Sequence, residues 1–300
     1  MKNIFAVDIG GSKTLCAVTK ENGEILDSRR ADYSRGYTAD MLIEIIKDSY
    51  KSLKHLQIDV CSIAVPGLCN HTDGTWIYSP FSGISSIPIA SIISEITDLE
   101  VFADNDVNIS ALAEREFGIC RGIDDYLWIT VSNGIGGGLV LDGKLYRGVN
   151  MASGEIGHIT VEENTDRICG CGKKGCLEIM ASGASIADIY AKKTGICVNG
   201  AFEVAKRAKD GDGDALSVFE KAGAYIGKAA ASAINLLGIK TVVIGGGVSE
   251  EFGLFKDSAE ASMKQYIFSQ ANQDAKILRS SLGKNAALLG CVALVKEKKQ

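Results

Sequence analysis

One histidine and three cysteines carry the clearest chemical signal in this 300-residue sequence: His158, Cys169, Cys171 and Cys176. They stand in the frame Gly157-His158 followed by Cys169-Gly170-Cys171-Gly172-Lys173-Lys174-Gly175-Cys176. Three thiolates and an imidazole are the donor set of a closed tetrahedral Zn²⁺ site, and the interleaved glycines let the backbone turn tightly enough for several sulfurs to meet one ion. Cysteines in a reduced protein also pack singly as small apolar residues. That account serves Cys16, Cys61, Cys120, Cys197 and Cys291, which stand alone in apolar runs, but not three cysteines within eight polar, glycine-rich residues. The expectation is structural zinc, because four protein ligands leave no open position for chemistry.

Two carboxylates lie beside this cluster. Glu155 precedes His158 by three residues and Glu178 follows Cys176 by two. A metal node would fix both on a rigid loop and turn them, with the free ring nitrogen of His158, towards a ligand. An acidic residue at Glu178 also favours a helix start there, Glu178 to Ile186; beside Glu155 and His158, the ligand role is expected. A third acid, Asp106, closes Asp104-Asn105-Asp106 at a strand-to-helix junction, where α/β proteins expose catalytic groups. Aspartate also caps helices, and the pair Asn105 and Asp106 can divide the two tasks.

Glycine turns offer anion sites. Asp8-Ile9-Gly10-Gly11-Ser12-Lys13 joins two apolar runs: the glycines allow close backbone approach, amides and the Ser12 hydroxyl donate to phosphate oxygens, and Lys13 adds charge. Asp8, ending the first strand, can hold Mg²⁺ through water. Ser132-Asn133-Gly134-Ile135-Gly136-Gly137-Gly138 repeats the arrangement, and Gly245-Gly246-Gly247 forms another turn.

The elements that position these residues follow from periodicity. Asn3–Ile9, Thr14–Thr19 and Glu24–Ser28 read as three strands, and Tyr126–Val131 with Gly138–Leu141 as a second hairpin, so a duplicated α/β unit is expected. Helices are predicted over Thr38–Leu53, Pro88–Ile96, Val107–Phe117, Ile186–Thr194, Ala201–Asp210, Asp214–Leu237, Glu251–Phe268 and Asn285–Glu297, and further strands over Ile58–Val65, Glu100–Ala103, Thr241–Ile244 and Ile277–Leu278. Residues 68–86 read as a long Gly, Ser and Pro-rich loop whose Trp76, Tyr78 and Phe81 could face a sugar ring. The expected division is a small α/β domain, 1–106, completed by a C-terminal helix within 284–300, and a large domain, 107–283, carrying the zinc loop.

Composition excludes other classes. With 46% hydrophobic residues the chain can build a large core. A net charge of −5 without a basic, aromatic-rich patch argues against nucleic acid. No signal peptide or membrane-spanning run is evident, and nine cysteines without export signals indicate a reducing cytoplasm.

Taken together, Asp8-x-Gly-Gly-Ser-Lys, Asn105-Asp106, Gly134-Ile135-Gly136-Gly137-Gly138, Gly154-Glu155-Ile156-Gly157-His158, Cys169-x-Cys-Gly-x-x-Gly-Cys176-Leu-Glu178 and Gly245-Gly246-Gly247-Val248-Ser249 resemble the ROK family of bacterial sugar kinases and repressors, across essentially the whole chain. The resemblance implies an actin-like (ribonuclease-H-like) two-domain fold closing on a sugar and ATP. It implies Asp106 as general base, with Gly67, Asn105, Glu155, His158 and Glu178 around the sugar. Gly10–Lys13, Asn133, Gly134, Gly136 and Gly137 would cradle phosphates, with Gly246 and Gly247 near the adenosine. Mg²⁺ with the nucleotide, structural Zn²⁺ and a homodimer formed through the larger domain complete the expectation.

The chain departs from the family at three places. Ser12 stands where threonine is usual and keeps the hydroxyl; Asn133 replaces a threonine; and Ser79-Pro80-Phe81-Ser82-Gly83 lacks the Asn-Leu-x-x-Trp sequence common there. Glucose, N-acetylmannosamine, another aldohexose and a β-glucoside all remain open as substrates. The alternative is a non-catalytic sugar-responsive regulator. A repressor of this family would carry a helix-turn-helix before its sugar domain, and a first strand at Asn3 leaves no room for one, so a kinase is expected.

Overall fold

A computed structural model describes residues 2–34, 36–79 and 82–299. The N-terminal apolar runs form β1 (Asn3–Ile9), β2 (Lys13–Lys20) and β3 (Ile25–Asp32), followed by α1 (Ala39–Leu53) and β4 (Val60–Val65). Next come β5 (Leu68–Asn70), β6 (Thr75–Tyr78), β7 (Ser85–Ile87), α2 (Ile89–Thr97), β8 (Val101–Asn105) and α3 (Asp106–Glu116). The second half contains β9 (Tyr126–Val131), β10 (Ile135–Leu141), β11 (Lys144–Tyr146), α4 (Leu177–Ala181), α5 (Gly183–Thr194), α6 (Ala201–Lys209) and α7 (Gly213–Leu237). It ends with β12 (Thr241–Gly245), α8 (Lys256–Tyr266), β13 (Lys276–Arg279) and α9 (Ala286–Lys298). Among the described residues no helix is long and apolar enough to cross a membrane.

The chain divides into two compact units, one of Met1–Gly122, Arg147–Ala152 and Asn285–Gln300, the other of Ile123–Tyr146 and Ser153–Lys284. Each contains a five-stranded sheet of the same plan, β3-β2-β1-β4-β8 in the first and β11-β10-β9-β12-β13 in the second. In both, the first three strands are antiparallel and the last two run parallel to the first. The duplication expected from the two glycine hairpins is therefore present strand for strand. The division falls after α3 rather than at Asp106, because α9 packs on α3: a side chain at Gly290 would strike the carbonyl of Ile109.

In the first unit β1 and β4 are buried on both faces, which explains their unbroken apolar character. Phe5, Val7, Ile9, Ile63 and Val65 join Leu42 and Ile46 of α1, whereas Ile4 and Val60 meet Val292 and Val295 of α9. The region read as a loop over residues 68–86 is instead a three-stranded antiparallel sheet, β5-β6-β7. Trp76 does not face a ligand: it is fully buried, and its indole N–H donates to the Pro66 carbonyl at 2.9 Å. Tyr78 is exposed, and Pro80 and Phe81 lie outside the described residues.

In the second unit the long α7 supplies one wall of the core, burying Phe219, Ile226 and Ile234. The helix expected over Glu251–Phe268 divides: Gly247–Leu254 winds as 3₁₀ turns and α8 starts at Lys256, because Glu251 and Phe255 leave helical geometry. α7 and α8 approach through Gly223 and Gly227, where a Cβ at Gly227 would meet the Ala259 carbonyl and the Met263 amide. Alanine in a helix interior gains about 1 kcal/mol over glycine, but forcing apart two backbones costs about 1–3 kcal/mol. The expected result for Gly227→Ala is a net loss of up to about 2 kcal/mol in urea unfolding. Gly213→Ala, with open space around it, should lose nothing.

Candidate functional site

In the first unit the β1–β2 turn is fastened from outside. The Gly10 amide donates to the Lys13 carbonyl at 2.8 Å, and the Tyr33 hydroxyl donates to the Gly10 carbonyl at 2.8 Å. A Cβ on Gly10 would crowd the Lys13 carbonyl at 3.2 Å, so glycine keeps the turn closed and its outer edge bare. Gly11 and Ser12 form the bend and Lys13 opens β2. Asp8 sits just before the turn; burial lifts its carboxyl to about 6 against the opposing pull of Lys13.

At the β8–α3 junction the division of labour left open by the sequence is resolved. Asn105 is the cap: its side-chain oxygen accepts from the amides of Val107 and Asn108 at 2.9 and 3.0 Å. Its Nδ2 donates to the Gly67 carbonyl at 2.6 Å and to Asp106 Oδ1 at 3.2 Å. Gly67 takes φ +90°, a backbone favouring glycine. Asp106 is thus relieved of capping and opens the helix with its carboxylate held by a neighbouring amide. Burial, then the nearby charge of Asp8, pushes its pKa up to about 7.

In the second unit the expected ligands converge. One donor atom each from His158, Cys169, Cys171 and Cys176 lies within 4.8 Å of the others. Cys169 Sγ is 3.6 Å from His158 Nδ1, and Cys171 Sγ is 3.6 Å from Cys176 Sγ. A tetrahedral zinc with Zn–S near 2.3 Å requires sulfurs ~3.8 Å apart, so the donor set fits. Gly172 and Gly175 take positive φ, and Gly175 lies too close to the Glu162 carbonyl for any side chain. The amide of Lys173 is the main cause lowering the exposed Cys171 thiol to about 7, while burial lifts Cys169 to about 12. Cys197, expected to pack internally, is exposed instead.

Nδ1 of His158 points to the sulfurs, which leaves Nε2 on the other side, 3.9 Å from Glu155 Oε2. Glu155 is exposed; Glu178, in the first turn of α4, accepts the Ile135 amide through Oε2 at 3.0 Å. The glycines between them serve packing as well as any ligand. A Cβ on Gly134 would fall 2.6 Å from Glu178 Oε2, and Gly137 and Gly154 lie carbonyl against Cα. Gly136, Gly137 and Gly138 belong to β10, which starts at Ile135, three residues earlier than its apolar pattern indicates.

A separate cavity of about 290 Å³ in the second unit brings together Asn133, Gly247, Phe202, Glu250, Glu251 and Lys284. Gly246, at φ +81°, lies against the Val131 carbonyl, whereas Gly247 has open space around it. Phe202, largely exposed, and Glu251, buried and paired with Lys209, carried no sequence signal. Nor did Tyr33, whose contact with Gly10 spans 23 residues.

Two sheets of identical strand order, each opening on a glycine turn, define an actin-like α/β fold, and in the second unit one histidine and three cysteines converge. The chain belongs to the ROK family, whose model matches residues 4–298. A glucokinase from Halalkalibacterium halodurans is 32% identical over 97% of this chain and 94% of its own length. The structure of a ROK family transcriptional regulator, a homolog of the E. coli MLC protein, matches with a TM-score of 0.90 at 27% identity, covering 98% of this chain and 78% of that one. The structure of a ROK family glucokinase from Streptomyces griseus, in complex with glucose and AMPPNP, matches with a TM-score of 0.85 at 27% identity over 98% and 99% of the two chains.

Proposed function

We propose that this chain is an ATP-dependent sugar kinase that phosphorylates a hydroxyl of a hexose or hexose derivative. The observation that carries the reading is the state of Asp106: freed from capping by Asn105 and lifted to about 7, it is matched to the task of a general base near neutral pH. A sugar hydroxyl holds its proton far above pH 7, so transfer to phosphate needs such an acceptor within hydrogen-bond reach. Asn105, Gly67, Glu155, Glu178 and Nε2 of His158 are assigned to the sugar, since carboxylates and an imidazole suit a polyol. The turns at Gly10–Lys13 and Asn133–Gly137 are assigned to phosphates, and the cavity at Gly247 to the nucleoside. Mg²⁺ bound with the nucleotide, near Asp8, would supply charge neutralisation at the transferring phosphoryl group. Zn²⁺ on His158, Cys169, Cys171 and Cys176 would hold the loop that carries Glu155 and Glu178.

The similarity to a transcriptional regulator favours a second reading, a sugar-responsive regulator using the same pocket. An enzyme-linked ADP-release assay over glucose, N-acetylmannosamine, other aldohexoses and β-glucosides separates the two. Sugar-dependent ADP release is the expected result. Sugar binding by calorimetry with no release for any of them would favour the regulator.

A further inference from the structure

We infer that Arg147 is a positioning residue for Asp106, holding Asp104 against α9 and thereby fixing the junction from which Asp106 projects. The inference rests on the reading of Asp106 as general base. Asp104 ends two residues before it and is 1% exposed. Its Oδ1 accepts from the Asn105 amide at 2.7 Å and from Asn108 Nδ2 at 3.3 Å; its Oδ2 takes Nε of Arg147 at 2.7 Å. The rest of the guanidinium fork reaches α9, with Nη2 at 2.5 Å from Glu297 Oε2 and Nη1 at 3.3 Å from Oε1.

The β8–α3 junction is therefore tied to α9 twice, by the close approach of Gly290 to Ile109 and by Arg147. Arg147 opens the short segment Arg147–Ala152 in which the chain returns to the first unit. Its planar fork spans two carboxylates at once, which a lysine ammonium cannot do with the same geometry. The neighbouring Lys298 cannot stand in, because its Nζ is bonded to Nδ1 and the carbonyl of His71. A buried carboxylate stripped of its cation must take up a proton or turn to water. Either change pulls on Asn105, whose side chain caps α3 and bonds both Gly67 and Asp106. Arg147 touches neither sugar nor nucleotide in this assignment; it acts through Asp104 and Asn105.

The test compares Arg147→Lys and Arg147→Gln with the unaltered protein and Asp106→Asn, all as full chains, using the best sugar of the panel. Per folded molecule, kcat is expected to fall ~10–10²-fold in both Arg147 variants, the scale of a misplaced reacting group. KM for ATP should stay within about twofold, since the interactions lost are not uniform binding. Arg147→Lys, which keeps a cation beside Asp104, should recover most of the melting temperature but not kcat. Unaltered kcat in both variants with only a lowered melting temperature would overturn the proposal. So would equal losses in kcat and in sugar and ATP affinity, the mark of general loosening. If the unaltered protein turns over no sugar, or Asp106→Asn is fully active, the general-base reading fails instead. The positioning is then decided by a crystal structure of Arg147→Lys: displacement of Asn105 from the Gly67 carbonyl supports it, and an unchanged β8–α3 junction overturns it.

Discussion

Asp106→Asn is expected to lower kcat by ~10²-fold or more, the range for removing a general base, while sugar and ATP still bind. The substitution is unusually clean here. Asn105, not Asp106, caps α3, so the helix start survives, and an amide oxygen at position 106 can still accept from Asn105 Nδ2. Only the basicity goes. The pH dependence supplies an independent signature. With Asp106 lifted to about 7, kcat/KM of the unaltered protein should rise with pH and level off above about 7, as the carboxylate becomes the prevailing form. That limb should be missing from the residual activity of the variant. Stability should move the other way: a carboxyl raised above its usual 3.8 favours the folded state while protonated. Its contribution is present at low pH and is lost as pH rises through about 7, because the unfolded chain binds fewer protons in that window. Asparagine removes this slope. Near-normal kcat in Asp106→Asn, with sugar affinity retained, would take Asp106 out of the mechanism.

Cys171→Ser is expected to release the metal and loosen the loop that carries Glu155 and Glu178. Elemental analysis of the purified unaltered protein should find about one zinc per chain, the stoichiometry of a single four-ligand site. Cys171 is the exposed ligand of the four, so serine there disturbs packing least and reports mainly on coordination. In isolated zinc-finger peptides metal binding is worth ~10–16 kcal/mol of folding free energy. This unit has its own core, built on Leu127, Ile129, Phe219 and Ile234, so the loss should be smaller. A loss on the order of 3 kcal/mol would lower the melting temperature by roughly 6–12 °C. Chelation of the unaltered protein should reproduce the shift. Fully active protein containing no zinc would overturn the assignment.

The two predictions rest on parts of the chain that differ in how readily they could be read. The convergence of His158, Cys169, Cys171 and Cys176 was legible because the four lie within 19 residues of one another in sequence. The hairpins and the long helices were legible because their periodicity is local. Trp76 was misread as a sugar-facing ring: what decides its place is the Pro66 carbonyl ten residues away, and the strands around it are only three or four residues long. Gly137 reads as part of an anion turn in sequence, yet close contact with the Gly154 carbonyl and Ile156 already requires a glycine there. Asp104 and Arg147 are 43 residues apart, and nothing in either neighbourhood marks the other. Periodicity reports burial, not which buried charge meets which.

The late arrival of α9 bears on how the protein is made. β1, β4 and β8 leave the ribosome early, but the face of β1 and β4 bearing Ile4 and Val60 is covered by Val292 and Val295, from a helix that begins about 180 residues after β8 ends. At ~5–20 residues per second, that interval lasts roughly 10–35 s. For that time the nascent first sheet presents apolar surface with its own cover not yet synthesised, while the second unit can complete its core first. The first sheet is thus synthesised well before the helix that covers this face of it.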